Sequence, residues 1–250
     1  MPEQLYVFKN TMGWIEVIIG NMFSGKSKEI ISRGKQAIRE GRRVVVFNHK
    51  KDNRYSENHV VSHDDDKLES IKVTCAEEII DYAIDAEVVI IDEGQFFDKK
   101  LVDVCRILAN LGKRVIVAFL NSDYRAIPWN KINKLINIAE AVSNELAVCS
   151  SCGNPAVYSQ RFSKNKSREL IGGQNEYAPM CRNCYTPTNT CEKSQKIVID
   201  MIKSVKKIGD WSKIHEKAWN HILKCEKNNG CEEIKQLATS DKAATKIRSQ

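Results

Sequence analysis

The sequence predicts an α/β fold: a parallel sheet covered on both faces, followed by a small metal-stapled module and a helical extension. Three observations carry this reading. Over residues 1–148, short apolar, β-branched segments alternate with segments of helical apolar spacing. Residues 20–27, Gly-Asn-Met-Phe-Ser-Gly-Lys-Ser, match G-x-x-x-x-G-K-[ST] in full, between one such strand and one such helix. Past Val148 the texture changes, and residues 149–191 hold five of the nine cysteines, three prolines and a tandem glycine pair.

The elements follow in order. Ile15-Glu16-Val17-Ile18-Ile19 reads as a buried strand, and residues 26–40 as a helix with Ile30, Ile31, Ala37 and Ile38 on one side. Residues 43–48 form a second strand. Residues 75–85 have Ala76, Ile79, Ile80, Ala83 and Ile84 at helical spacing. A third strand spans 87–92, a helix spans 99–111 and stops at Gly112, and a fourth strand spans 114–120. Strands that are apolar throughout belong to a parallel sheet buried on both faces, and ligands of such sheets sit at the carboxyl ends of the strands. Residues 192–250 suggest one or two amphipathic helices, with Ile197, Ile202, Val205 and Ile208, then Trp211, Ile214, Trp219 and Ile222, broken near Gly209 and Gly230.

Composition sets bounds. A chain of 250 residues accommodates one full α/β domain and a smaller module. The apolar runs reach only about six residues, against roughly 20 for a membrane span. The first residues lack the apolar core of an export signal, so nine cysteines predict thiols or metal in a reducing cytosol. The net charge of +7 is uneven: residues 192–250 hold 13 Lys+Arg against 8 Asp+Glu. A basic tail is weak evidence for nucleic acid binding, and a solvated helical tail is the preferred reading.

Three constellations carry chemistry. A strand, a glycine turn and a helix N-terminus aim backbone N–H groups and the positive end of a helix dipole at an anion. Lys26 would reach β- and γ-phosphates, and the Ser27 hydroxyl would ligate Mg²⁺. The apolar run 88–91 ends in Asp92-Glu93-Gly94-Gln95-Phe96-Phe97. Asp92 would hold the Mg²⁺ that bridges donor phosphates. Glu93 could orient a water, as in an ATPase, or accept a proton from a substrate hydroxyl, as in a kinase; the spacing does not choose. Cys149-x-x-Cys152 and Cys181-x-x-Cys184 suit tetrahedral Zn²⁺. Four thiolates leave no open position for water, so the zinc would be structural, and the 28 residues between the pairs form a loop tied at both ends. Cys191 is an alternate thiol; Cys75, Cys105, Cys225 and Cys231 read as ordinary small side chains. Asp52-Asn53-Arg54-Tyr55 lies past the second strand, where an arginine could stabilise charge on a transferring phosphoryl group, although the same residues make a good turn. His63 reads as a loop residue.

Together these residues resemble the type II, cytosolic-type, thymidine kinases. The resemblance rests on Gly20–Ser27, Asp52-x-Arg54-Tyr55-Ser56, Asp92–Phe97, the two cysteine pairs and Ile171-Gly172-Gly173 through Tyr177, and covers residues ~13–185 in order. It implies a RecA-like P-loop domain over 1–148, a zinc domain over 149–191 whose long loop, the lasso, closes over thymidine, and an unmatched basic extension over 192–250. Glu93 would be the general base. Gly20, Asn21, Met22, Phe23, Ser24, Gly25, Lys26, Ser27, Arg54, Asp92 and Gln95 would handle ATP, with Mg²⁺ on Ser27 and Asp92. Arg161 matches another arginine near the phosphates. Met22, Phe96, Leu120, Tyr124, Trp129 and Tyr177, with Arg168, Leu170, Ile171 and Gly172 of the lasso, would line the nucleoside pocket, the lasso reading the base largely through its backbone.

The resemblance further implies ATP, Mg²⁺ and structural Zn²⁺ as cofactors, a cytoplasmic homotetramer, phosphorylation of thymidine and deoxyuridine for nucleotide salvage, feedback inhibition by dTTP, and neither membrane nor nucleic acid as partner. Asn21 stands where many members have proline. Asn121-Ser122-Asp123-Tyr124 replaces a common Leu-Asp-Gly-x-Phe pattern, and Tyr124 and Trp129 replace phenylalanines. A tyrosine hydroxyl there would add a hydrogen bond or reach water. Two rival readings are a nucleic-acid motor with a zinc ribbon and a non-enzymatic nucleotide sensor. The chain offers no second motor domain for the first, and retains both Lys26 and Glu93 against the second.

Overall fold

A computed structural model describes residues 12–52, 59–61 and 67–186, all within one compact unit of the chain, Met1–Thr186. The 192–250 extension, Cys191 and Arg54 lie outside the described residues. In chain order the elements are β1 Trp14–Gly20, α1 Lys26–Arg39, β2 Val44–His49, β3 His59–Val61, β4 Lys67–Glu69, β5 Ile71–Val73, α2 Glu78–Tyr82 and β6 Val88–Ile91. After a 3-10 turn at Gly94–Phe96 come α3 Leu101–Asn110, β7 Arg114–Leu120, α4 Asn130–Ile136 and β8 Ala141–Glu145. Four short strands complete the described chain: β9 Ala147–Val148, β10 Pro155–Ala156, β11 Tyr158–Arg161 and β12 Tyr177–Met180.

Six strands form one sheet in the order β5-β2-β6-β7-β1-β8, every pair parallel. Strand alternation divides the apolar residues between two faces. Val17, Phe47, Val89, Ile91, Val117 and Phe119 pack on one side against Leu101, Val104 and Leu108 of α3 and Ile132 and Leu135 of α4. Ile18, Val46, Val88, Ile90, Ile116 and Ala118 pack on the other against Ile30, Ile31 and Ala37 of α1. The expected two-sided parallel sheet is therefore present.

Several details depart from the periodicity. The helix expected over 75–85 contracts to α2, because Thr74 and Cys75 engage the Glu78 carboxylate ahead of its first turn. Ile38 and Ile84, assigned to apolar helix faces, are 50% and 71% exposed. β5, β8, α4 and the β3–β4 hairpin carry no long apolar run and were not expected. β8 alternates half-buried and exposed residues, as suits an edge strand with one solvated side.

Glu16 is a polar residue inside the second core. It accepts hydrogen bonds from Trp14 Nε1 at 2.7 Å, Arg33 at 2.6 Å and Arg114 Nε at 2.5 Å, with its side chain only 8% exposed. Burial alone would raise its carboxyl pKa; the Arg114 and Arg33 guanidiniums outweigh burial and hold it below the usual carboxylate range. Arg33 also donates to Ser143 Oγ at 2.9 Å, joining α1 to edge strand β8. Glu16→Ala is expected to cost roughly 3 kcal/mol, because it leaves the partly buried Arg114 without its carboxylate while Arg33 keeps Glu29. A folded pKa below the unfolded one means that this stabilisation is present above the unfolded value and lost as pH falls through the folded one. Urea melts should therefore separate wild type from variant at pH 7 and converge in acid; equal midpoints at pH 7 would refute the assignment.

The module after the sheet consists of two antiparallel pairs, β9 with β10 and β11 with β12. Its small core contains Ala147, Cys149, Ala156 and Cys181. Side-chain amides join it to the strand ends of the sheet: Asn21 Nδ2 donates to Tyr158 O at 3.2 Å, and Asn121 Nδ2 donates to Val157 O at 2.8 Å. The Met22 N–H donates to Ser159 Oγ at 3.0 Å beside them. Asn21 and Asn121, two of the departures noted in the sequence, thus make contacts that proline and aspartate could not make, since neither side chain donates.

Candidate active site

The carboxyl ends of β1, β6 and β7 carry the three segments on which the site is built. After β1 the chain turns through Gly25, whose φ of 91° is accessible to glycine at little cost, and enters α1 with no side chain capping its first N–H groups. That leaves the helix terminus able to receive an anion through its backbone. Phe23 in the same loop also has positive φ, at 65°. Lys26 is buried and folds back over the loop, donating to Asn21 O at 2.6 Å. Ser27 Oγ donates to Asp92 Oδ2 at 3.2 Å, so the first turn of α1 meets the end of the third expected strand. These two oxygens are hard donors of the kind that suit Mg²⁺.

Asp92 lies just past β6 and is 4% exposed. Glu93 follows in the left-handed region, at φ 51° and ψ 45°. A non-glycine residue there costs of order 1–3 kcal/mol and persists only where its surroundings enforce it. Here the Glu93 N–H donates to Asp92 Oδ1 at 2.8 Å, and the Glu93 carboxylate accepts from Gln95 Nε2. Gln95 Oε1 in turn accepts the Leu120 N–H of β7 at 3.1 Å. Lys131 donates to the carbonyls of Gln95, at 2.9 Å, and Phe97, with burial drawing its ammonium pKa down. Gly94 allows the turn to lie close to the sheet, since a Cβ there would sit 2.7 Å from the Phe119 ring.

Beside Glu93 opens a cleft. Every residue expected in the nucleoside pocket lines it: Met22, Phe96, Leu120, Tyr124 and Trp129 from the sheet side, Arg168, Leu170, Ile171 and Gly172 from the loop between β11 and β12, and Tyr177 from the start of β12. Glu93 and Gln95 are also on its wall. Of the glycine loop only Met22 reaches the cleft, where it packs with Tyr124 and Tyr177. Phe23 packs against the same cluster, while Lys26 folds over Asn21 O and Ser24 Oγ and Ser27 meets Asp92, so the phosphate-loop end and the cleft are adjacent.

Arg161, expected near the phosphates, is instead engaged with the loop between β11 and β12 and with Tyr124, and the structure adds Asp123 and Ser159 to the cleft wall. Arg161 is 3% exposed and spends its guanidinium on the loop. It donates to Asn165 O at 3.1 Å, Ser167 O at 2.5 Å and Tyr177 Oη at 2.6 Å, and lies 3.7 Å from the centre of the Tyr124 ring. Tyr177 Oη donates to Leu170 O at 2.7 Å. The Tyr124 hydroxyl donates to Lys166 O at 3.3 Å, away from the cleft contents. Neither Asp123 nor Ser159 stood in a recognisable motif, and their roles depend on partners distant in sequence.

At the opposite end of the module, the sulfurs of Cys149, Cys152, Cys181 and Cys184 all lie within 4.8 Å of one another. Tetrahedral Zn²⁺ with bonds of about 2.3 Å needs sulfurs about 3.8 Å apart, so the cluster fits such an ion. The Cys181 N–H points at the Cys149 sulfur and helps draw that thiol down to about 6, favouring the thiolate that a metal requires.

A protein-family model described as thymidine kinase matches residues 13–185. A thymidine kinase of Rhodothermus sp. is 46% identical over 189 residues, covering 75% of this chain and 89% of the relative. Those of Bacteroides thetaiotaomicron and Bacteroides fragilis are each 45% identical, covering 74% and 69% of this chain and 92% and 87% of the relatives.

Proposed function

The chain belongs to the thymidine kinase family, and on that premise we propose that it transfers the γ-phosphoryl group of ATP to the 5′-hydroxyl of thymidine, and of deoxyuridine, giving dTMP for nucleotide salvage. The observation that carries the reading is the position of Glu93, which is held in a strained conformation between the glycine loop and the cleft. A carboxylate so placed accepts the proton of the 5′-hydroxyl as its oxygen bonds to the γ-phosphorus and the bond to ADP breaks. The alternative role left open by the sequence, orienting a water, needs no apolar cleft beside the carboxylate.

The glycine loop acts as the P-loop of a RecA-like domain. The insertion of β7 between β1 and β6 supports this, because it sets Asp92 one strand away from the loop it serves. Lys26 would reach from its resting place on Asn21 O to the phosphates, and Ser27 and Asp92 are the residues that would hold Mg²⁺, which would supply charge neutralisation there. Gln95 orients Glu93. Arg54 is assigned to the transferring phosphate from the motif alone.

Residues 162–176 form the lasso. Its stretch 168–172 covers the cleft, and its carbonyls and N–H groups read the base, so that closure excludes water and suppresses ATP hydrolysis. The four cysteines would hold a structural Zn²⁺, and through it both ends of the lasso would be anchored. The domain limits 1–148, 149–191 and 192–250, a cytoplasmic homotetramer and inhibition by dTTP complete the proposal.

Coupled ADP release measured across the natural deoxynucleosides tests it. Thymidine and deoxyuridine are expected to drive release, and deoxycytidine and the purine deoxynucleosides to leave it near background. DNA-stimulated ATP hydrolysis without a thymidine response would replace this reading with that of a nucleic-acid motor.

A further inference from the structure

We propose that Arg168 is a positioning residue whose ion pair with Asp123 latches the loop over the cleft to the turn that forms its far wall. The proposal rests on the reading of the cleft as the thymidine site. The Asp123 side chain is fully buried. Its Oδ1 accepts the N–H groups of Arg125 and Ile127 at 2.9 and 3.0 Å, closing the turn that carries Tyr124 and leads to Trp129. Its Oδ2 accepts from Arg125 and from Arg168 Nε, both at 3.0 Å. Arg168 also donates to Pro128 O at 2.9 Å and lies 4.0 Å over the Trp129 ring.

Magnitudes single out this contact. Among the described residues, besides the apolar packing of Leu170 on Met22 and Tyr124, three polar side-chain interactions join the loop to the sheet side of the cleft. Lys51 with Glu169 is an exposed pair, 56% and 36% accessible, of a kind worth 1 kcal/mol or less. Tyr124 to Lys166 O is one neutral hydrogen bond at 3.3 Å. Arg168 combines a charge-assisted bond to a desolvated carboxylate, a backbone carbonyl and an aromatic face, three partners that the planar guanidinium serves and a lysine does not. Arg161, which is on β11 and not in the loop, donates to the loop carbonyls and to Tyr177 and stacks on the Tyr124 ring at 3.7 Å, so it shapes the loop from its base. The Arg168 backbone and side chain therefore have separate duties: the former faces the nucleoside, while the latter sets where residues 168–172 rest.

Glu93 and the glycine loop belong to the sheet and are untouched by this pair. Removing the latch leaves the loop to be ordered by the nucleoside itself, which raises KM and spares kcat. Arg168→Ala is expected to raise the thymidine KM about tenfold or more with kcat within about threefold, and Arg168→Lys to fall between it and wild type. Adding Asp123→Asn to Arg168→Ala should raise KM little beyond the larger single effect, as for two groups acting as one unit. Hydrogen exchange of the amides in 165–172 without nucleoside should be about tenfold faster in Arg168→Ala. Unchanged KM, unchanged exchange, or additive effects in the double variant would each overturn the latch. Were wild type to release no ADP with thymidine, the functional reading would fall, while the exchange rates would still decide for or against the latch.

Discussion

Glu93→Gln is expected to bind ATP and thymidine near normally and to lose a hundredfold or more in kcat, the range typical of a proton-transfer group. The substitution is close to isosteric, and the remaining side-chain oxygen can still accept from Gln95 Nε2, so the turn at Gly94–Phe96 should survive. What disappears is the anionic oxygen that takes the 5′-hydroxyl proton. A hundredfold corresponds to about 2.7 kcal/mol of transition-state stabilisation. Near-normal turnover would remove Glu93 as the base. Steady-state kinetics with equilibrium binding of thymidine measures both parts. Glu93→Gly offers a second view: glycine adopts a φ of 51° without strain, so this variant should unfold no more easily than wild type while losing activity. Strain retained at a residue that folding does not need is a mark of function.

Cys181→Ser is expected to abolish zinc binding and, with it, ordered thymidine binding. Cys181 is 5% exposed, its sulfur lies 3.5 Å from that of Cys152, and it directly follows β12. The first residue of β12 is Tyr177, whose hydroxyl holds both Leu170 O and Arg161. Loss of one thiolate therefore releases the strand that anchors the loop over the cleft. Metal content should fall from one Zn²⁺ per chain to none, and the thymidine KM should rise steeply, while ATP binding at the glycine loop persists. A zinc-free variant with full activity would contradict the anchored loop.

The parts of the site that were legible in the sequence are those written in a few consecutive residues. A strand that ends in a glycine loop and a helix, an acidic pair at the end of a buried strand, and two cysteine turns each constrain the local backbone strongly enough to leave a pattern. The four central strands and the two long helices were legible for the same reason: full burial demands apolar residues throughout, and a covered helix face demands them at helical spacing. The edge strands left no such trace, because half-exposed residues satisfy an edge without an apolar run.

The pocket residues came from family resemblance, and what the tertiary structure decided was how they are held. Nothing around Arg161 indicates that it will be buried and used to shape a loop, and nothing near Asp123 indicates an arginine 45 residues later as its partner. The left-handed backbone at Glu93 is likewise imposed by Asp92, Gln95 and the strand beside them. Alone, then, the sequence determined where a glycine loop, an acidic pair at a strand end and two cysteine turns would be found, since each depends on neighbours along the chain. Only folding decided how the cleft is walled and roofed, since those contacts join residues that meet solely because the sheet and the cysteine module bring them together.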